Sequence, residues 1–254
     1  MLDMLLSIFK SNGLVTAFAV IGIVMYISYQ ISGKLTKGRI HGSAIAIIFG
    51  LILAYLGGIT TGGEKGLADV SFFSGIGLMG GGMLRDFAIV ATAFGASFDE
   101  VKRAGVSGVV ALFLGVVISF LVGVLIALSF GYTDAVSLTT IGAGAVTYIV
   151  GPVTGAAVGA SSDVVALSIA AGLVKSILVM IGTPFVARYI GLDNPRTALV
   201  FGGLMGTTSG VAGGLAATDP KLVPYGAVTA TFYTGLGCLL CPSLLFLATR
   251  SLFG

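Results

Sequence analysis

Charge is scarce in this chain. Of 254 residues only 9% are Asp, Glu, Lys or Arg, against about 25% in a soluble globular domain. No hydrophilic stretch is long enough to form a separate soluble domain, so residues 1–254 read as a single integral membrane domain. The 13 basic and 10 acidic residues leave a net charge of +3, scattered in short loops. That balance points to membrane topology rather than to a nucleic-acid partner, and none is expected. Histidine is nearly missing, with His41 beside a basic loop as its one representative. The two cysteines, Cys238 and Cys241, lie in an apolar run. They are too few for a metal site and read as small buried side chains. No cleavable leader is expected, because the first apolar run is too long for a signal-peptide core and lacks a small-residue cleavage motif.

What the chain has in quantity is hydrophobicity: 56% apolar residues and a mean hydropathy of +1.10. A helix needs roughly 20 apolar residues to cross a bilayer. Apolar runs at 13–33, 42–61, 70–98, 106–130, 136–162, 164–187, 198–218 and 223–249 predict an all-α polytopic membrane protein of about eight segments, within a range of about seven to nine. The run 70–98 is interrupted by "GGGMLRD", which holds Arg85 and Asp86. The positive-inside rule puts the cluster Lys34, Lys37, Arg39 and the pair Lys102, Arg103 in the cytoplasm and the N-terminus outside. If every later run crosses once, Arg188 and Arg196 fall outside, against the rule. One glycine-rich run is therefore expected to re-enter the membrane instead of crossing it.

Two glycine-rich runs look alike. The first reads "TYIVGPVTGAA" over 147–157, then "SSD" over 161–163; the second reads "TTSGVAGGLAATDP" over 207–220. Each is rich in hydroxyls, broken by glycine, and ends in alanines and an aspartate ahead of another apolar run. A glycine costs a helix interior about 1 kcal/mol and a proline about 3 kcal/mol. In hydrocarbon the freed backbone groups find no water, so such breaks survive only inside protein or along a wet cavity. A break creates a half-helix N-terminus whose free N–H groups suit an anion, while carbonyls and hydroxyls suit Na⁺. Paired Gly/Pro-broken segments are a sequence pointer to the binding site of a secondary transporter, in which such segments are related as inverted repeats.

The candidate substrate-binding residues are Thr147, Gly151, Thr154, Thr207, Thr208, Ser209 and Gly210. Packing is the competing reading, since small residues let membrane helices approach closely; it suits Gly155, Gly159 and Gly172 better, because it leaves the hydroxyls beside the breaks unexplained. The candidate Na⁺ ligands are Ser161, Ser162, Asp163, Thr218 and Asp219. Helix capping is the alternative role for Asp163 and for Asp219, which precedes Pro220. Lys175 lies near the middle of 164–187, where a lysine costs roughly 2.5–3.5 kcal/mol on insertion scales. It is expected to contact substrate or an acid from another helix, with snorkelling to the interface and a shifted helix boundary as the competing readings.

The strings "FFSGIGLMGGGMLRDFAIVATAFGASFDEVKRAG", "GAGAVTYIVGPVTGAAVGASSDVVALSIAAGLVKS" and "GGLMGTTSGVAGGLAATDPKLVPYGAV" resemble the MadM-type subunit of the bacterial malonate transporter, over nearly the whole length. The resemblance implies cation-coupled malonate uptake across the bacterial cytoplasmic (inner) membrane, with Na⁺ as the coupling ion and H⁺ as the alternative. It also implies a smaller MadL-type membrane partner, and no organic cofactor. The competing classes are a carrier subunit for another small carboxylate and a channel-like or structural subunit. An intramembrane enzyme fits poorly: Ser209 follows Gly206, Thr207 and Thr208, outside a G-x-S-G pattern, and no base accompanies it.

Overall fold

Apolar runs without water must satisfy every backbone group internally, and this chain does so with helices. A computed structural model describes residues 2–38, 40–62, 69–70, 73, 75–78 and 98–254. Arg85 and Asp86 lie outside the described residues, as does most of the expected run 70–98. The chain divides into two compact units, Met1–Ala91 and Thr92–Gly254.

The first unit contains α1 (Leu2–Ser11), α2 (Gly13–Leu35), α3 (Gly42–Thr61) and the short α4 (Gly75–Leu78). The link between α2 and α3 turns at Lys37 and Gly38, both with positive φ. His41 caps α3, its Nδ1 lying 2.7 Å from Ser43 Oγ, and its ring stands edge-on to Tyr29 at 5.3 Å.

The second unit contains α5 (Phe98–Ser129), α6 (Ala135–Val146), α7 (Val150–Val158), α8 (Ser162–Val186), α9 (Pro195–Met205), α10 (Thr208–Ala216), a 3₁₀ turn (Pro220–Leu222), α11 (Val223–Leu240), a π-turn (Cys241–Leu245) and α12 (Phe246–Phe253). Gly105, at φ 61° and ψ −162°, breaks α5, so its apolar length starts there. Five helical stretches are long and apolar enough to cross a membrane: Gly13–Leu35, Gly42–Thr61, Gly105–Ser129, Ser162–Val186 and Pro220–Phe253. The expected eight segments thus become five full-length spans among the described residues. The two glycine-rich runs are not spans, because each is a pair of shorter helices.

Both pairs fold back. In the first, a Cβ on Gly151 would lie 3.0 Å from Gly144 Cα, and one on Gly155 would lie 2.9 Å from Thr140 Cγ2. The partners run in opposite order, so α6 and α7 form an antiparallel hairpin with its tip at Thr147–Tyr148. Asp134 caps the start of α6 by accepting from Ser137 N at 2.8 Å, and Gly159 (φ 77°) ends α7.

In the second pair, Gly206 (φ 70°) ends α9 and Thr207 precedes α10. These helices splay, and α11 wedges between them. A Cβ on Gly226 of α11 would touch Leu215 of α10 and lie 3.4 Å from Ala198 O of α9. The beginning of α9 and the end of α10 therefore sit at one level, sealed by a cluster that includes Ala187, Leu192, Leu215 and Leu222.

Helix α8 orders the two hairpins. Its buried face is Val164, Ser168, Gly172, Ser176, Met180 and Thr183, a seam of small residues every fourth position through its centre. Hairpin α6–α7 lies on the first half, with Gly144 and Gly151 on Ser168 and Tyr148 on Gly172. Hairpin α9–α10 lies on the second half, with Gly210 on Ser176, Gly213 on Met180 and Gly214 on Thr183. The hairpins thus approach from opposite ends of α8, and their tips meet its seam only about 6 Å apart at about 1.5 Å per residue.

Helix α5 runs opposite to α8: Ala111 packs on Gly203 of the second hairpin, and Val124 packs on Gly142 of the first. Between Lys102 and Arg188 only α5 and α8 run the length of the unit. Arg188 and Arg196 accordingly lie at the same end as Lys102. Both glycine-rich runs fold back on themselves, where the sequence led to the expectation of one such run.

Candidate functional site

The hairpin tips bring the polar groups of this unit together at mid-length. Lys175 Nζ donates to Ser119 Oγ of α5 at 2.9 Å, to Val146 O at the end of α6 at 2.9 Å, and to Tyr233 OH of α11 at 3.1 Å. All three ammonium protons therefore meet neutral oxygens. Lys175 makes no ion pair among the described residues. Tyr233 is fully buried, donates to Gly115 O at 3.0 Å, and presents its ring to Gly206, where a Cβ would overlap it. The Lys175–Tyr233 pair thus touches both tips: the first through Val146 O, the second through Gly206.

The two tips differ in how their helix N-termini are finished. At the first, Thr147 Oγ1 accepts from Ile149 N at 3.1 Å and Val150 N at 3.3 Å, closing the start of α7. Pro152 falls in that first turn, where a missing N–H costs little. At the second, Thr207 makes no side-chain cap; its hydroxyl pairs with Ser176 Oγ instead. The N–H groups of Thr208, Ser209 and Gly210 have no acceptor in a preceding turn. Ser209 Oγ is buried without a hydrogen-bond partner. Two positive half-helix ends therefore converge on one lysine, and the second is left open.

The sequence-derived candidates fall into three groups. Lys175, Thr147, Thr207, Thr208, Ser209 and Gly210 come together around the tips. Gly151 and Thr154 lie further along α7. Gly151 has no room for a Cβ beside Ser168, which makes it a packing position. Thr154 is fully buried, and its hydroxyl, like that of Thr139, has no partner. The third group does not assemble. Ser161, Ser162 and Asp163 are exposed at the start of α8, whereas Thr218 and Asp219 follow α10 at the opposite end of the unit. Thr218 Oγ1 donates to Gly214 O at 2.8 Å, and Asp219 Oδ1 accepts from Lys221 N at 3.0 Å as a cap of the 3₁₀ turn.

Ser119, Ser176 and Tyr233, which bond to Lys175 or Thr207 at the tips, are candidates that the sequence reading did not single out. The recurrence Ser168, Gly172, Ser176 beside Lys175 was a usable signal for Ser176. Tyr233, within "TATFYTGLG", looks like any aromatic in a membrane run.

No curated protein and no solved structure matches the chain. The family model described as the malonate/sodium symporter MadM subunit matches residues 5–253, across both compact units. With nearly the whole length covered, the chain belongs to the MadM family of malonate/sodium symporter subunits.

Proposed function

We propose that this chain carries the translocation site of a Na⁺-coupled malonate transporter of the bacterial cytoplasmic membrane, with malonate held between the two hairpin tips. The observation that carries the reading is the open start of α10, uncapped by Thr207 and holding the orphan Ser209 hydroxyl, at the tip whose Gly206 packs on Tyr233, the partner of Lys175. Malonate is a small dianion near neutral pH. One carboxylate would accept from the α10 N-terminus and Ser209; the other would replace a neutral acceptor on Lys175. A co-bound cation, Na⁺ with H⁺ as the alternative, would offset the remaining negative charge. The arrangement of α5 with the first hairpin and α8 with the second supports an inverted pair of structural repeats, the pattern of many secondary transporters. The implied partner is a smaller, MadL-type membrane subunit, with residues 1–254 acting as one transport domain.

Two experiments test this reading. In proteoliposomes holding this chain with its partner subunit, malonate accumulation should collapse when the Na⁺ and proton gradients are both removed, while malonate counterflow persists. Undiminished concentrative uptake without either gradient would sink the coupling.

The second experiment concerns topology. With Cys238 and Cys241 replaced by serine and alanine, Ser162→Cys should react with an impermeant maleimide from the outside. Asp219→Cys should react only after access to the cytoplasmic face, where the basic end places it. Labelling of both from one side would contradict hairpins that enter from opposite faces.

A further inference from the structure

Away from the tips, a groove of about 730 Å³ opens between the second half of α8, helix α9 and the first turns of α5. Leu178 and Val186 of α8 and Phe201 and Leu204 of α9 form its walls, and Arg196 and Thr197 stand at its mouth. From Arg196 to Met205 the groove follows α9 for about 14 Å at about 1.5 Å per residue. That is close to half of the roughly 30 Å hydrocarbon core. It therefore runs from one membrane interface to mid-depth, the length of a single leaflet. Arg196 is exposed and makes no ion pair among the described residues; the nearby Asp193 carboxylate accepts from Asn194 Nδ2 at 2.8 Å. Arg196 also sits in the first turn of α9, where the helix dipole favours an anion. Arg188 and Lys221 lie at the same end, with Asp193 and Asp219 as the acidic counterparts, which leaves that interface with a small basic excess.

We infer that this groove binds an anionic phospholipid, its acyl chain against the aliphatic walls and its phosphate on Arg196. Malonate is a poor occupant, because its two carboxylates would face aliphatic walls. A partner helix is disfavoured too: helix interfaces in membranes are built on small residues, whereas the groove is lined mainly by branched aliphatic and other large apolar side chains, with Ser107, Gly182, Thr183 and Thr197 as its few small ones. Basic pockets between membrane helices at the cytoplasmic side are suited to anionic headgroups. Because α9 forms one wall, the lipid would brace the leg of the second hairpin without touching its tip.

The chain contains no tryptophan, so Leu178→Trp places a lone fluorophore in the deep part of the groove. The full-length variant, reconstituted with its partner subunit in phosphatidylcholine vesicles, is titrated with brominated phosphatidylglycerol or brominated phosphatidylcholine; the Leu178 parent supplies the background. Half-maximal quenching is expected at about fivefold lower mole fraction of the anionic lipid, the effect of one basic side chain near the surface. Adding Arg196→Gln should erase that preference. Adding Gly182→Leu, whose Cβ enters open space, should fill the groove and weaken quenching by both lipids. Equal quenching by the two lipids, or a preference that survives Arg196→Gln, would overturn the inference. So would an absence of quenching above background, the result if a protein helix covers the groove.

Discussion

Lys175→Met is expected to reach the membrane with its partner subunit and to bind malonate about 10-fold or more weakly than the parent. Charge-assisted hydrogen bonds are worth roughly 1.5–3 kcal/mol, and a lost one shows directly in affinity. The structural damage should be moderate. Ser119 and Tyr233 are hydroxyls that can re-pair, Tyr233 already donating to Gly115 O. Val146 O alone loses a donor without a ready substitute, at a cost of about 1–3 kcal/mol. Lys175→Arg keeps the charge, but its rigid fork does not fit three acceptors on three separate helices, so it should restore affinity only in part. Equilibrium binding of labelled malonate, set beside the amount of complex in the membrane, separates the two effects. A Lys175→Met variant that assembles and binds malonate like the parent would remove the lysine from the site. One that fails to assemble would make it a structural tie only.

Gly206→Ala should damage the second hairpin tip through strain and overlap at once. Gly206 sits at φ 70°, a left-handed conformation that costs an L-residue about 1–2 kcal/mol. Its new Cβ would also overlap the buried ring of Tyr233, and overpacking of this kind typically costs about 1–3 kcal/mol. The two terms together, about 2–5 kcal/mol, are a large fraction of a typical stability of about 5–15 kcal/mol. The expected result is a large drop in thermal midpoint and in transport. Tyr233→Leu in the same chain should recover part of the folded protein by relieving the overlap, leaving the backbone strain. Gly182→Ala is the control, since its Cβ meets open space and alanine is the better helix former. A Gly206→Ala protein with an unchanged midpoint would mean that the second tip is not packed on Tyr233.

The breaks, the depth of Lys175 and the basic loops were legible in the sequence because each is a local departure from an apolar background. Whether a broken helix continues or folds back is not local. It is decided by contacts such as Gly144 with Gly151, and Gly226 of α11 with Ala198 and Leu215; glycine alone is compatible with either outcome. The acceptors of Lys175 were hidden for a related reason: Val146 O is a backbone carbonyl, and a carbonyl carries no residue signature. Asp163 and Asp219 looked equivalent because each follows a similar string. The opposed directions of the hairpins place them at opposite ends of the unit.

The lengths of chain that moor the hairpins also set how far each can travel. Between Gly159 and Ser161 the first hairpin joins α8 through a leash of about 10 Å at most, at about 3.3–3.6 Å per extended residue. That hairpin and α8 must therefore move nearly as one piece. The second hairpin is joined to α8 through residues 187–194, which hold slack as tight turns closed by Leu192 N donating to Ala187 O at 2.9 Å. Leu192 and Ala187 are both buried in the apolar cluster at that end. Letting out this slack requires pulling Leu192 from its seat, so on the α8 side chain length permits excursions of the second hairpin that this aliphatic latch restrains.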